Sequence, residues 1–135
     1  MRWLYAVFLV TMLGFVAVQY NDPDGPLWML LYGAVAVWCA IALWRPGMLR
    51  GTPVLLGLAA ASIAVFGLGF LWEIRSYNPD FLSRSMMSAG VETTREAFGL
   101  LIAALVTAFV LWADGRVVAS FHHGRRSASR SPAPR

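Results

Sequence analysis

Four long apolar runs, separated by short polar segments, dominate the pattern of side chains along the sequence. They cover about residues 3–19, 27–44, 54–72 and 97–113, and no charged residue lies in the middle of any run. A helix needs about 20 mostly apolar residues to cross a bilayer core of about 30 Å. The runs do not alternate apolar and polar side chains, as the strands of a membrane barrel would, so they predict helices. We therefore expect four transmembrane helices.

Signals at the ends of the runs agree with this division. Thr52 can cap the third helix, and Pro53 then occupies the first turn, where a missing N–H costs nothing. The Asp-Gly-Pro sequence of residues 24–26 starts the second run in a similar way, and the Arg-Pro-Gly sequence of residues 45–47 ends it. The tryptophans near the predicted ends, where a membrane interface favours them, are Trp3, Trp28, Trp44, Trp72 and Trp112.

The composition excludes an ordinary soluble domain. Of the 135 residues, 59% are hydrophobic and 13% are charged, whereas soluble proteins average about 25% charged residues. A water-soluble fold of this size would have too little polar surface to cover its core. The predicted fold is therefore an all-α membrane protein, a four-helix transmembrane bundle over residues 1–115 that can be divided into two tandem helical hairpins. The lipid bilayer is its expected environment.

The distribution of arginine predicts the orientation, because the cytoplasmic loops of membrane proteins carry an excess of basic residues. With the N-terminus inside, the arginines of the cytoplasmic side are Arg2, Arg45, Arg50, Arg116, Arg125, Arg126, Arg130 and Arg135. The arginines of the outer side are Arg75, Arg84 and Arg95. We therefore expect a multi-pass protein of the cell membrane with both termini in the cytoplasm.

The last segment, residues 116–135, is rich in arginine, serine and proline. It has too few apolar residues to bury a core, so we expect a basic, disordered cytoplasmic tail. Its positive charge suits anionic lipid head groups. The basic residues do not lie on a helical face that could follow a nucleic-acid backbone, and we expect no nucleic-acid partner.

Small residues recur at spacings of four in the third run. Gly57 and Ala61 form one such pair, and Ala60 and Ala64 form another. This spacing lets two helix backbones approach closely in a membrane. The interpretation we favour is packing inside the bundle. The alternative is a surface that contacts another membrane protein subunit or a second copy of the chain.

Polar residues are clustered only at the predicted outer face. The candidates for a ligand site or a structural clamp are Asn21, Asp22, Asp24, Glu73, Glu92, Arg95 and Glu96. Glu92 and Glu96 are four residues apart, so they share a helix face if the fourth helix begins early. In the interpretation we favour, Arg95 pairs with Asp22 or Asp24 and clamps the hairpins together.

The alternative for the same cluster is a metal site. Carboxylates are the ligands that Ca²⁺ and Mg²⁺ prefer, and the ligands here would be Asp22, Asp24, Glu92 and Glu96. No histidine or cysteine lies on this side, which argues against zinc, haem and iron–sulfur sites. We predict no cofactor, with a divalent cation as the one alternative.

Other chemistry has little support in the sequence. No Gly-rich phosphate loop, H-E-x-x-H or G-x-S-x-G motif is present, and the only histidines, His122 and His123, lie in the tail. The sequence therefore shows none of the residue combinations that are typical of a catalytic site. The apolar runs also contain no ionisable side chain of the kind that proton-coupled carriers keep within the membrane.

Two motifs resemble the transmembrane protein 220 family. The first is N-D-P-D at residues 21–24, followed by Trp28 and Tyr32. The second is the stretch opening the last helix, made by Glu92, Arg95, Glu96, Gly99 and Leu100. The resemblance covers most of the chain up to about Trp112. It implies a short helical membrane protein and points to the same outer polar cluster, but it implies no reaction.

Three hypotheses for function follow. The first is a non-enzymatic accessory or scaffold subunit that binds other membrane helices through small-residue faces. The second is a site for a divalent cation or polar ligand at the outer face. The third is an oligomeric transporter of small solutes, which the lack of ionisable groups in the apolar runs disfavours.

Overall fold

Helices account for nearly all of the protein that the structure describes. The structure, a computed structural model, describes residues 1–82 and 89–128, and the side chains of residue 81 and residues 118–128 are outside this description. The helices are α1 (Arg2–Val18), α2 (Gly25–Trp44), α3 (Met48–Gly51), α4 (Pro53–Glu73) and α5 (Ala89–Ala128). Short 3₁₀ turns cover Gln19–Asn21, Ile74–Ser76 and Pro79–Leu82.

Four of these helices are long and apolar enough to cross a membrane, which confirms the predicted all-α, four-span fold. The 20 residues of α2 and the 21 residues of α4 correspond to lengths of about 30 Å, the thickness of the hydrocarbon core. Helices α1, α2 and α4 begin and end within two residues of the predicted runs. Thr52 and Gly47 lie at the N-termini of α4 and α3, respectively.

Helix α5 differs from the prediction at both ends. It begins at Ala89 rather than at residue 97, because charged residues end an apolar run without ending a helix, and acidic side chains suit a helix N-terminus. Its backbone is also helical to Ala128, and the expectation of a disordered tail over residues 116–135 stays a prediction. No proline interrupts this stretch. Residues 129–135 of the predicted tail, and Arg84 of the predicted outer loop, lie outside the described residues.

The bundle consists of two helical hairpins. Helix α1 packs along α2, α4 packs along α5, and the hairpins meet where α2 contacts α5. Most of the buried core comes from α2 and α5, including Val35, Cys39, Ala103 and Val110. Phe8 of α1 reaches α5 as well, where its ring lies edge-on to Phe109 with centroids 5.5 Å apart.

The small residues of α4 do not pack inside the bundle. Gly57, Ala60, Ala61 and Ala64 are all exposed, and a Cβ placed on Gly57 would meet no atom within 4 Å. The favoured interpretation of intramolecular packing is therefore wrong for this face, which we call the α4 small-residue face. It is wrong because the bundle-facing side of α4 is a different one, on which Gly69 lies against Leu100 of α5.

A buried carboxylate fixes the loop between α2 and α4 to α5. Asp114 is 0% exposed, and its Oδ1 and Oδ2 accept hydrogen bonds from the backbone N–H groups of Gly47 at 2.5 Å and Arg50 at 3.1 Å. The Arg50 Nε donates in turn to the Leu111 carbonyl at 3.1 Å. Gly47 has a φ of 87°, which glycine adopts without strain. We call this part of the bundle the Asp114 end, and the opposite part, with residues 19–24, 74–82 and the first turns of α5, the Asp22 end.

Candidate functional site

Residues 19–28 form one wall of a site at the Asp22 end. The Asp22 N–H donates to the Gln19 carbonyl at 3.2 Å and the Gly25 N–H donates to the Asp22 carbonyl at 3.0 Å, which folds the turn tightly. A Cβ on Gly25 would collide with the Gln19 carbonyl oxygen. At the start of α2, the Trp28 indole Nε1 donates to Asp24 Oδ2 at 2.6 Å. Asp24 is therefore held over the first turn of α2.

The first turns of α5 form the opposite wall. Thr94 is 0% exposed, and its hydroxyl donates to the Gly90 carbonyl while accepting the backbone N–H of Asn78, both at 2.8 Å. This pair of bonds ties the chain after α4 to α5. It also turns Glu92, Arg95 and Glu96 toward α2, since these residues and Thr94 occupy different faces of the same two turns.

A polar cavity of about 280 Å³ lies between the two walls, and we call it the vestibule. Its lining residues are Val18, Gln19, Asp22, Asp24, Trp28, Tyr32, Glu92, Arg95 and Glu96. Four carboxylates face one guanidinium in this set, so the vestibule has a formal charge of −3 when all are ionised. The half-buried Glu96 is the most enclosed of these carboxylates, and the charges of Asp24, Glu73 and Glu92 act on it.

A second, more apolar cavity of about 380 Å³ adjoins the vestibule, and we call it the chamber. Its lining residues are Phe15, Val18, Gln19, Tyr32, Leu82, Arg95, Phe98, Gly99 and Ile102. Phe15 lies about one turn before the vestibule residues of α1, and Ile102 lies about two turns beyond Arg95 in α5. The chamber therefore extends toward the middle of the bundle. The vestibule and chamber together are called the cleft below.

Tyr32 lies where the vestibule and the chamber meet. It is 4% exposed, and its ring packs edge-on against Phe15 and beside Trp28, with centroids 5.2 Å and 5.9 Å away. Its hydroxyl lies against Gly99, where a Cβ would collide with it. Within the part of the chain that the structure describes, this hydroxyl makes no hydrogen bond and is accessible from the cavities that Tyr32 lines, whereas the buried tyrosine oxygen without a partner is that of Tyr5.

The structure brings together most of the predicted site residues. Asp22, Asp24, Glu92, Arg95 and Glu96 all line the vestibule. The other two predicted residues lie outside its lining, Asn21 on the exposed turn and Glu73 at the end of α4.

The carboxylates do not converge as metal ligands do. Among residues 1–82 and 89–128, no three side chains of histidine, cysteine, aspartate or glutamate lie close enough to hold one ion. The geometry therefore supports an extended polar surface in the vestibule rather than a coordination centre.

The aromatic residues of the cleft were not identified from the sequence as site residues. Tyr32 and Phe15 lie within apolar runs, where an aromatic side chain is typical of a core. One signal could have identified Tyr32. Asp24, Trp28 and Tyr32 follow one another at intervals of four, which places them on one face of α2.

Residues 11–112 match the family profile of transmembrane family 220, a family of membrane helices. The chain belongs to transmembrane family 220. No curated protein and no solved structure matches the chain. Both motifs behind the predicted resemblance lie inside the family 220 region, and they form the opposite walls of the vestibule. The region contains every lining residue of the cleft and ends two residues before Asp114.

Proposed function

We propose that the protein binds an amphipathic ligand in the cleft, as a non-enzymatic binding component of a membrane. The observation that carries this proposal is the direct contact between a charged vestibule and an apolar chamber, which share Tyr32 and Arg95. The two volumes, about 280 Å³ and 380 Å³, lie near the lower end of the usual range of small-molecule sites. No serine, cysteine or histidine is among the lining residues, and the proposal is restricted to binding.

The proposal includes an orientation. Arg2, Arg45, Arg50 and Arg116 belong to the Asp114 end of the bundle. The excess of arginine in cytoplasmic loops therefore supports a cell-membrane protein with the Asp114 end and both termini in the cytoplasm. In this orientation the vestibule opens at the outer surface. A cysteine introduced at Asp22 should react with an impermeant maleimide in intact cells, and one introduced at Arg45 should not.

Native mass spectrometry of the purified full chain, released from mild detergent with phospholipids added, tests ligand binding. Ile102→Trp should reduce the bound lipid about tenfold, because it fills the chamber from a side that is already 38% exposed. Leu105→Trp is the matched control, since Leu105 lies on the same helix, is 61% exposed and lines neither cavity. Equal lipid binding by the two variants, or none by the parent, would contradict the proposal.

A second candidate function, that of an accessory subunit, is supported by the α4 small-residue face. Lipid chains provide no hydrophobic force between helices, so close packing of small residues is a main source of helix association in membranes. Gly57, Ala60, Ala61 and Ala64 expose such a surface. The partner in this proposal is a transmembrane helix of another subunit or of a second copy.

A photo-crosslinking amino acid at Ala61 would test the second candidate in native membranes. We expect a discrete protein adduct from this position and none from Val10, which is 69% exposed on α1. Adding Gly57→Leu should abolish the adduct by blocking close approach. Adducts of equal yield from both positions, or an adduct whose yield does not change with Gly57→Leu, would contradict this second candidate.

The transporter hypothesis gains no support from the cleft. Asp114 is the only carboxylate buried among the described residues, and backbone N–H groups already bind both of its oxygens.

A further inference from the structure

The order of chemical groups along the cleft points to a specific class of amphipath. We infer that the ligand is a membrane phospholipid with a primary ammonium head group, of the phosphatidylethanolamine type. This inference rests on the proposed function and adds the identity of the head group. From the middle of the bundle outward, the cleft presents an apolar chamber, then Tyr32, Arg95 and Glu96 about two turns into their helices, then the carboxylates of Asp22, Asp24 and Glu92. Such a phospholipid presents acyl chains, then a phosphate, then an ammonium in the same order.

The carboxylates match the ammonium. Four carboxylates against one guanidinium make the vestibule negative, so it attracts a cation and disfavours a purely anionic head group. A primary ammonium donates up to three hydrogen bonds and can reach several acceptors that are spread over a surface. The described carboxylates are spread in this way, since no three of them share one coordination centre.

Arg95 and Tyr32 match the phosphate. Arg95 lines both the vestibule and the chamber, so this residue lies at the boundary where a phosphate would follow an acyl chain. Guanidinium groups bind phosphate oxygens through paired, charge-assisted hydrogen bonds. The Tyr32 hydroxyl, which makes no hydrogen bond among the described residues, lies at the same boundary. It can donate to a phosphate or ester oxygen and so gain the partner it lacks.

The bilayer is the source of the ligand in this inference. Ile102 lines the chamber and is 38% exposed on the outside of a membrane-spanning helix. An acyl chain can therefore enter from the surrounding lipid without crossing water.

Head-group competition on the purified full chain tests the inference. Native mass spectrometry would compare phosphatidylethanolamine, phosphatidylcholine and phosphatidylglycerol with identical acyl chains, and dodecylamine as a free amine. We expect the ethanolamine lipid to bind about tenfold more tightly than the choline lipid, whose quaternary ammonium donates no hydrogen bond. Glycerol lipid and dodecylamine should bind more weakly still, since each lacks one of the two matched charges.

Variants then assign the preference to residues. Glu96→Gln and Tyr32→Phe should each reduce binding of the ethanolamine lipid, and Glu96→Gln should also reduce its advantage over the choline lipid. Asp80→Asn is the matched control, because Asp80 is exposed and lines neither cavity. Should Glu96→Gln fail to fold, the head-group preference of the parent alone decides.

The outcomes separate the inference from the proposed function. Equal binding of ethanolamine and choline lipids, lost in Ile102→Trp, would overturn the head group and leave amphipath binding standing. Preference for the glycerol lipid, or dodecylamine binding as tightly as the ethanolamine lipid, would likewise overturn it. No binding of any of the four would overturn both.

Discussion

The two ends of the bundle use carboxylates in opposite ways. At the Asp114 end, one carboxylate is fully buried and accepts two backbone N–H groups from the loop between α2 and α4. At the Asp22 end, the exposed Asp22, Asp24 and Glu92 surround a cavity into which Tyr32 opens, and the hydroxyl of Tyr32 makes no hydrogen bond among the described residues. A satisfied buried charge holds a fold together, whereas groups gathered around unfilled space are available to a ligand. The comparison therefore supports a structural role for the Asp114 end and agrees with the proposed binding site at the Asp22 end.

The largest expected effect comes from removing the buried carboxylate. Asp114→Ala leaves the N–H groups of Gly47 and Arg50 without their acceptor, and hydrogen bonds to charged groups contribute about 1.5–3 kcal/mol each. We expect the free energy of unfolding to fall by about 2–4 kcal/mol, measured by denaturation in mixed micelles. Asp22→Ala at the other end should change it by less than about 0.5 kcal/mol. Similar losses of the free energy of unfolding in the two variants would contradict a structural role for the Asp114 end alone.

Gly47→Ala tests the same end through the backbone. Because Gly47 has a φ of 87°, an alanine there should cost about 1–2 kcal/mol of the free energy of unfolding. Gly51→Ala is the control, since a Cβ on Gly51 meets no atom within 4 Å and its φ is not positive. Thermal unfolding of the two variants in one detergent gives the difference. If Gly47→Ala did not change the stability, the loop conformation would have to adapt to alanine without cost.

Gly99→Ala sharpens the description of the Asp22 end. Its Cβ would collide with the Tyr32 hydroxyl, and the repacking should cost about 1 kcal/mol after the gain in helix propensity. Tyr32→Phe removes the colliding oxygen, so the double variant should lose less stability than the two single changes predict. Additive effects would mean that the two side chains do not meet as described.

Tyr32→Phe alone should have the smallest effect on stability and a clear effect on binding. Removing a hydroxyl without a partner costs little, so the free energy of unfolding should change by less than about 0.5 kcal/mol. Lipid binding should nevertheless weaken in the native mass spectrometry titration. A large loss of stability would show that the hydroxyl has a structural partner.

The sequence predicted the bounds of the helices better than it predicted which of their faces are buried. Proline at residues 26 and 53 predicted the starts of α2 and α4, and the Arg-Pro-Gly sequence at 45–47 predicted the end of α2, because these signals act locally. The start of α5 was misplaced because Glu92, Arg95 and Glu96 interrupt an apolar run while remaining helical. Hydropathy measures transfer to lipid, and it does not measure where a helix begins.

The charged residues of the site could be predicted from the sequence, but its aromatic residues could not. The charged residues of the vestibule were identified because charge is rare in this sequence. Tyr32 was named only as part of the family motif and not as a site residue, because its place between the two cavities depends on how α1, α2 and α5 pack. Likewise, Gly57 and Ala61 have the spacing of a packed face, but only the placement of α4 shows that this face points outward.

The uninterrupted length of α5 connects the two ends of the bundle. One continuous helix lines the cleft at Glu92, is bonded to a neighbouring loop at Asp114 and continues to Ala128. The bonded point lies about 33 Å along the helix from Glu92 and about 21 Å from Ala128. The residues that line the vestibule and the residues that follow Asp114 are therefore parts of a single secondary-structure element, with no loop between them.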